Sequence, residues 1–191
     1  MTIKLKWLLL VPVLLLLSVG AMRDGNYANV YRCDDGQVSF KSEAKLELIQ
    51  AMSKKLRGAI NPENNTFAWS VETSTFEGFN SPLQREHFNE NYLESSKYPR
   101  LSFTGKIIEI IDFTVDGKYT IRAKGKLKVH GVEQERIIRS QIEITGNKIN
   151  VSSQFTLMLS DHNISIPQIV HQKIAEEVLL NVTAELVSID Q

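Results

Sequence analysis

The sequence predicts an all-β protein: a closed antiparallel barrel of about eight strands, with one helix and one short helical turn. Apolar and polar residues alternate with a period of two in segment after segment. Turn signals separate those segments at Asn61-Pro62, Asp116-Gly117, His130-Gly131 and Gly146-Asn147. Only one longer stretch carries the chemistry of a helix start. Long strands with charged outer faces suit a barrel better than a sandwich, and closure removes exposed edges.

The chain opens on a leader. Lys4 and Lys6 precede an apolar run from Trp7 to Leu17, and Val19, Gly20 and Ala21 offer small residues for cleavage. Residues 1–21 are therefore read as a signal peptide cut after Ala21. Its apolar run of about twelve residues is too short for a membrane span of about 20. The expected location is the periplasm, or the medium, of a bacterium. Residues 22–36 are polar and turn-rich and read as a loosely held lead-in carrying Cys33 as a free thiol. The barrel is expected over residues 37–188.

Within it, Val38 and Phe40 alternate with Gln37, Ser39 and Lys41. Phe67, Trp69 and Val71 alternate with Thr66, Ala68 and Ser70, and Leu101, Phe103, Gly105 and Ile107 with Ser102, Thr104 and Lys106. The clearest strand runs from Lys118 to Val129. Tyr119, Ile121, Ala123, Gly125, Leu127 and Val129 fall on one face, and Lys118, Thr120, Arg122, Lys124, Lys126 and Lys128 on the other. Ile138, Ile142 and Ile144 follow, then Ile149, Val151, Phe155, Leu157 and Leu159 in a stripe broken by Ser153, then Val178, Leu180, Val182, Ala184 and Leu186. Two stretches break the period. Ser81–Tyr92 reads as a helix, with Ser81 as N-cap and Pro82 at the first position. Ile169–Glu176 reads as a short helical turn after Pro167.

Composition narrows the function. The 191 residues carry 22 Lys+Arg against 22 Asp+Glu, and removing the leader leaves a mildly acidic chain. That balance disfavours a nucleic-acid partner. With 42% hydrophobic residues the chain has enough apolar content for a core, and its single cysteine cannot pair internally. No catalytic residue is assigned, since no nucleophile elbow or comparable constellation is present. Glu176 and Glu177 are adjacent, so they point to opposite faces of a strand. His87, His130, His162 and His171 lie in no metal-binding spacing, and no metal is expected. His162 and His171 share the last long loop, where the pair can touch a polar head group near a barrel mouth. The basic stripe on the strand Lys118–Val129 reads as a solvated outer face paired with Glu133, Glu135 and Glu143. It also offers transient contact with an anionic membrane surface.

Several segments together resemble the YceI-like family of bacterial lipid/polyisoprenoid-binding proteins. Lys97-Tyr98-Pro99-Arg100-Leu101-Ser102-Phe103 resembles that family's K-Y-P-x-I-x-F segment, preceded by Arg85-Glu86-His87-Phe88 and Tyr92-Leu93. Gly125–Val132 resembles its G-x-L-x-x-H-G-V turn, and Lys55–Gly58 its early V-x-G strand. Phe155, Asp161–Ile164 and Glu176–Val178 resemble its closing pattern. His162-Asn163 departs from it, standing where an aromatic and a glycine are common. The resemblance spans roughly residues 37–187. It implies a lipocalin-like barrel around a long apolar tunnel that holds an isoprenoid chain.

From the residues alone the inward stripes read as packed core, because barrel interiors of this size are commonly filled. The resemblance makes them a tunnel lining: Phe67, Trp69, Val71, Phe103, Tyr119, Ile121, Leu127, Phe155, Leu157 and Val182. Small inward residues, Ala123, Gly125, Gly105, Ser153 and Ala184, leave room for it. The expected activity is non-enzymatic: an exported protein holding a hydrophobic long-chain lipid for transport, storage or protection. No cofactor is expected beyond a bound isoprenoid or quinone lipid. The alternative is a filled barrel that binds a protein through its exterior.

Overall fold

The computed structural model describes residues 30–189; the expected signal peptide lies outside them. Eight strands run in sequence order around a closed barrel: β1 (Val30–Glu43), β2 (Leu48–Asn61), β3 (Thr66–Glu72), β4 (Arg100–Ile107), β5 (Gly117–Val129), β6 (Val132–Thr145), β7 (Lys148–Met158) and β8 (Glu177–Ile189). Each is antiparallel to the next. β8 returns to β1, from Val30 opposite Ile189 to Lys41 opposite Leu179, so the sheet closes on itself.

The alternation behind the strand prediction is realised most fully in β5. Ile121, Ala123, Leu127 and Val129 are buried, while Lys118, Thr120, Arg122, Lys124, Lys126 and Lys128 are exposed. Two residues of positive φ, His130 at 50° and Gly131 at 75°, then turn the chain directly into β6. A Cβ on Gly131 would lie 2.4 Å from the Tyr98 ring, so the turn and that ring are fitted to each other.

Two departures share one cause. The expected lead-in over 22–36 is already strand from Val30, and Cys33 is buried rather than mobile. Tyr31 and Cys33 face inward, Asp34 and Asp35 both face out, and Gly36 and Val38 face inward again. The ladder shifts register at this point, a bulge that resets the inward phase. Asp34-Asp35-Gly36 therefore has turn chemistry but sits inside a strand. β2 has the same interruption. Ala51 and Ser53 are buried, Lys54 and Lys55 are both exposed, and Leu56 is buried, so no period-two run marks this strand.

α1 (Pro82–His87) starts as the sequence predicts, with the Ser81 hydroxyl accepting from the Gln84 N–H at 3.2 Å. The predicted helix continues to Tyr92, but beyond His87 the coil widens, and the Leu93 N–H donates to the Phe88 carbonyl at 2.9 Å. The expected later turn forms as one short 3-10 turn at Gln168–Val170.

The barrel has two unlike ends. At one, the β4–β5 loop folds Phe113 beneath the strands, its ring 6.4 Å from that of Tyr31. Ile142, Ile144, Ile149 and Leu186 pack above it with almost no exposure. Burying each such side chain contributes about 1.5–3 kcal/mol. The Asp112 carboxylate holds the loop, accepting from the Thr114 hydroxyl and N–H, and these bonds lower its pKa. At the other end stand the β1–β2 turn, α1 with its wide coil, and the segment joining β7 to β8.

Gly105 and Gly125 face each other across β4 and β5. They do not make room in the barrel. A Cβ on Gly105 would lie 2.1 Å from the Lys124 carbonyl oxygen, and one on Gly125 would lie 2.2 Å from that of Thr104. The pair lets two backbones approach closely.

Candidate functional site

The interior is not filled. A deep chamber of about 110 Å³ lies between the strands, above the Phe113 end. Phe67, Trp69, Val71, Phe103, Ile121, Leu127, Phe155, Leu157 and Val182 of the predicted lining all stand around it. Tyr119 does not. It lies at the start of β5, where its hydroxyl donates to the Val115 carbonyl at 3.1 Å, and it packs on the core of the closed end. Trp69 lies across Gly58, whose Cβ would fall 2.0 Å from the indole ring. Leu56, Ile60, Ile138, Val151 and Leu180 complete much of the wall. Leu180 shares the inward face of Val182 and was legible there; Leu56 was hidden by the phase shift in β2.

A second chamber of about 390 Å³ lies at the mouth. Val38, Leu101, Val129, Leu157 and Leu180 line both chambers, so the two adjoin across these side chains. One wall is aromatic. Phe88 lies 5.4 Å from Phe40 in a stacked pair, 5.0 Å from Phe79 and 5.6 Å from Phe76. Each such pair contributes about 0.5–1.5 kcal/mol beyond its buried area. Phe76 and Phe79 fall in a stretch with no period, so sequence patterning does not find them. Glu47, Gln84, His87 and Lys173 are also on this chamber's lining. Polar groups thus gather towards the mouth, and the deep wall is overwhelmingly apolar.

Hydrogen bonds fix one side of the mouth. Glu94 lies 3.0 Å from His130 Nε2, and His130 Nδ1 lies 3.1 Å from the His162 carbonyl oxygen. Tyr98 meets the His130 ring edge-on at 4.8 Å. His162 is wholly buried, with Nδ1 3.2 Å from the Val132 carbonyl oxygen. Burial pushes its pKa down against that hydrogen bond. The expected pairing of His162 with His171 at a head group is therefore corrected. His162 ties the β7–β8 segment to the β5–β6 turn, and His171 instead stands beside Glu176 at 3.7 Å.

The outer basic stripe is matched by acids. Lys118 lies 3.4 Å from Glu143, Arg122 2.8 Å from Glu109, and Lys126 3.6 Å from Glu133. Hydrogen bonds from Arg122 hold the Glu109 carboxyl below its usual range. Among the described residues no group of three or more His, Cys, Asp or Glu side chains is placed to hold a metal ion. Burial raises the Cys33 thiol pKa, which leaves it a poor nucleophile.

The fold and this interior define a class: small antiparallel barrels wide enough to enclose one ligand. A family model for the YceI-like domain matches residues 33–186, and the chain belongs to that family. No curated protein is significantly similar to it in sequence. Among solved structures it is similar to a polyisoprenoid binding domain from Saccharophagus degradans implicated in plant cell wall breakdown. The TM-score is 0.71 at 13% identity, covering 85% of this chain and 99% of that one. BcnA of Burkholderia cenocepacia aligns with a TM-score of 0.64 at 14% identity, over 78% of this chain and 95% of that one. The YceI protein of Campylobacter jejuni aligns with a TM-score of 0.58 at 16% identity, over 72% and 84%. At these identities the likeness shows a shared fold.

Proposed function

We propose that this protein is an exported, non-enzymatic carrier that holds one long-chain lipid of the isoprenoid or quinone type inside its barrel. One observation carries the reading: an apolar chamber, closed at the Phe113 end, adjoins a wider chamber at the opposite mouth. An isoprenoid tail has no polar group along most of its length. It needs a dry channel, and each buried methylene contributes about 0.8 kcal/mol. The blind end suits a tail inserted first. Glu47, Gln84, His87 and Lys173 suit a polar head left at the mouth. The polyisoprenoid-binding relative supports the same chemistry. Shielding the chain from water then serves transport, storage or protection, and the leader expected over residues 1–21 supports export.

Quenching of Trp69 fluorescence by a short-chain quinone tests this reading, because the indole stands on the deep wall. Saturable quenching, reversed by an isoprenoid alcohol, is the expected result. Absence of quenching at any quinone concentration below its solubility limit overturns the proposal.

A further inference from the structure

The mouth is ringed by apolar side chains that no part of the described chain covers. Leu46 in the β1–β2 turn is 63% exposed, Leu83 on α1 is 57% exposed, and Ile169 in the 3-10 turn before β8 is 91% exposed. These come from three separate segments joined into one rim. The Leu46 N–H donates to the Gln172 carbonyl at 2.8 Å. Gln84 donates to the Glu47 carboxylate, and Asn80 Nδ2 donates to the Leu48 carbonyl at 2.9 Å. The same three segments line the outer chamber, through Glu47, Leu83, Val170, Lys173 and Ile174. The exposed apolar residues thus stand on the same segments that frame the chamber opening.

We infer that this rim docks on the surface of a lipid bilayer, inserting Leu46, Leu83 and Ile169 so that the chamber opens onto the lipid phase. The inference rests on the lipid-carrier reading above, since a cargo insoluble in water has to be collected where it is dissolved. The charge pattern says which surface fits. Along the three rim segments Lys45, Arg85 and Lys173 are outnumbered by Glu43, Glu47, Glu86, Glu90, Glu176 and Glu177, so the mouth has no basic excess. The basic stripe of β5 is matched by its own acids on the barrel wall. Insertion is therefore apolar, without a demand for anionic lipid. Long-stemmed lysines at Lys45 and Lys173 can keep their charges in the headgroup layer. The inference places the membrane contact at the mouth and not on the β5 stripe.

The test is flotation of the exported, processed chain with phosphatidylcholine vesicles, alongside L46S/I169S, whose two positions lie outside the chamber lining. Uptake of an apolar fluorescent probe added from ethanol is measured on both proteins. Vesicle binding by the wild type that is insensitive to salt, weakened about tenfold or more in the variant with unchanged probe uptake, is the expected result. Wild type that takes up probe but does not float overturns the docking and leaves the carrier reading intact. Binding that needs anionic lipid and vanishes in salt also overturns it. So does a rim that proves to be a contact between copies, seen as a dimer that L46S/I169S converts to monomer. Failure of probe uptake by the wild type instead sinks the carrier reading.

Discussion

Enlarging Ala123 to leucine places a known number of carbons in the deep chamber. Ala123 is buried in β5 and stands on that chamber's wall. The chamber measures about 110 Å³, and a group the size of a water molecule fills about 30 Å³. There is room for roughly four methylene-sized groups. Leucine adds three carbons and so occupies most of it. The overpacking cost stays within about 1–3 kcal/mol, which a barrel of this size survives. A bound chain loses about three places at about 0.8 kcal/mol each, together about 2.4 kcal/mol, or roughly fiftyfold in Kd. The mouth chamber, at about 390 Å³, offers roughly thirteen such places. A ten-carbon isoprenoid alcohol fits within it, whereas a fifteen-carbon one must reach the deep chamber. Displacement of an apolar dye by the two alcohols reads the difference. Ala123→Leu should weaken the longer alcohol about fiftyfold and leave the shorter one within about twofold. Equal losses for both, or no loss for either, would refute the two-chamber reasoning.

Other perturbations act on the frame. Gly105→Ala should destabilise the barrel by about 1–3 kcal/mol or more, because its Cβ meets the Lys124 carbonyl oxygen; an unchanged urea midpoint would contradict the close approach of β4 and β5. Leu186→Ala, at a site with no exposure, should cost about 2–5 kcal/mol in the same assay. His162 gives a pH signature. Its folded pKa lies below the unfolded value near 6.5, so the unfolded chain takes up the proton more readily. The stabilisation is complete above about 6.5 and is lost on acidification down to the depressed folded value. His162→Gln should flatten the fall in unfolding free energy across that window. An undiminished slope would mean that other groups carry it.

Much of the barrel is legible in the sequence because one buried face and one wet face impose a period of two. β5 is the limiting case: every outward residue between Lys118 and Lys128 is polar and exposed. Legibility fails where the phase is interrupted. The outward pairs Asp34-Asp35 and Lys54-Lys55 each shift the inward register by one, which disguised the start of β1 and left β2 marked only by the resemblance at Lys55–Gly58. The deep lining was readable for the same reason as the strands. Tyr119 shares the inward phase of Ile121 yet lies one layer too far towards the closed end, since periodicity gives a face but not a depth. The mouth was less readable. Its aromatic wall comes from Phe76, Phe79 and Phe88, in aperiodic chain or wide coil, and only tertiary packing brings them to Phe40. The resemblance segments around Tyr98 and His130 meet in space, and their role as a brace of the mouth is visible only in that contact.

A carrier of this kind leaves the cell, or leaves a lipid mixture, with a single lipid in its barrel. Native mass spectrometry of protein recovered after export, paired with organic extraction and lipid mass analysis, tests it most directly. One isoprenoid or quinone-type lipid per chain, or uptake of one when such lipids are supplied, is the expected result. Protein recovered empty that takes up none would contradict it.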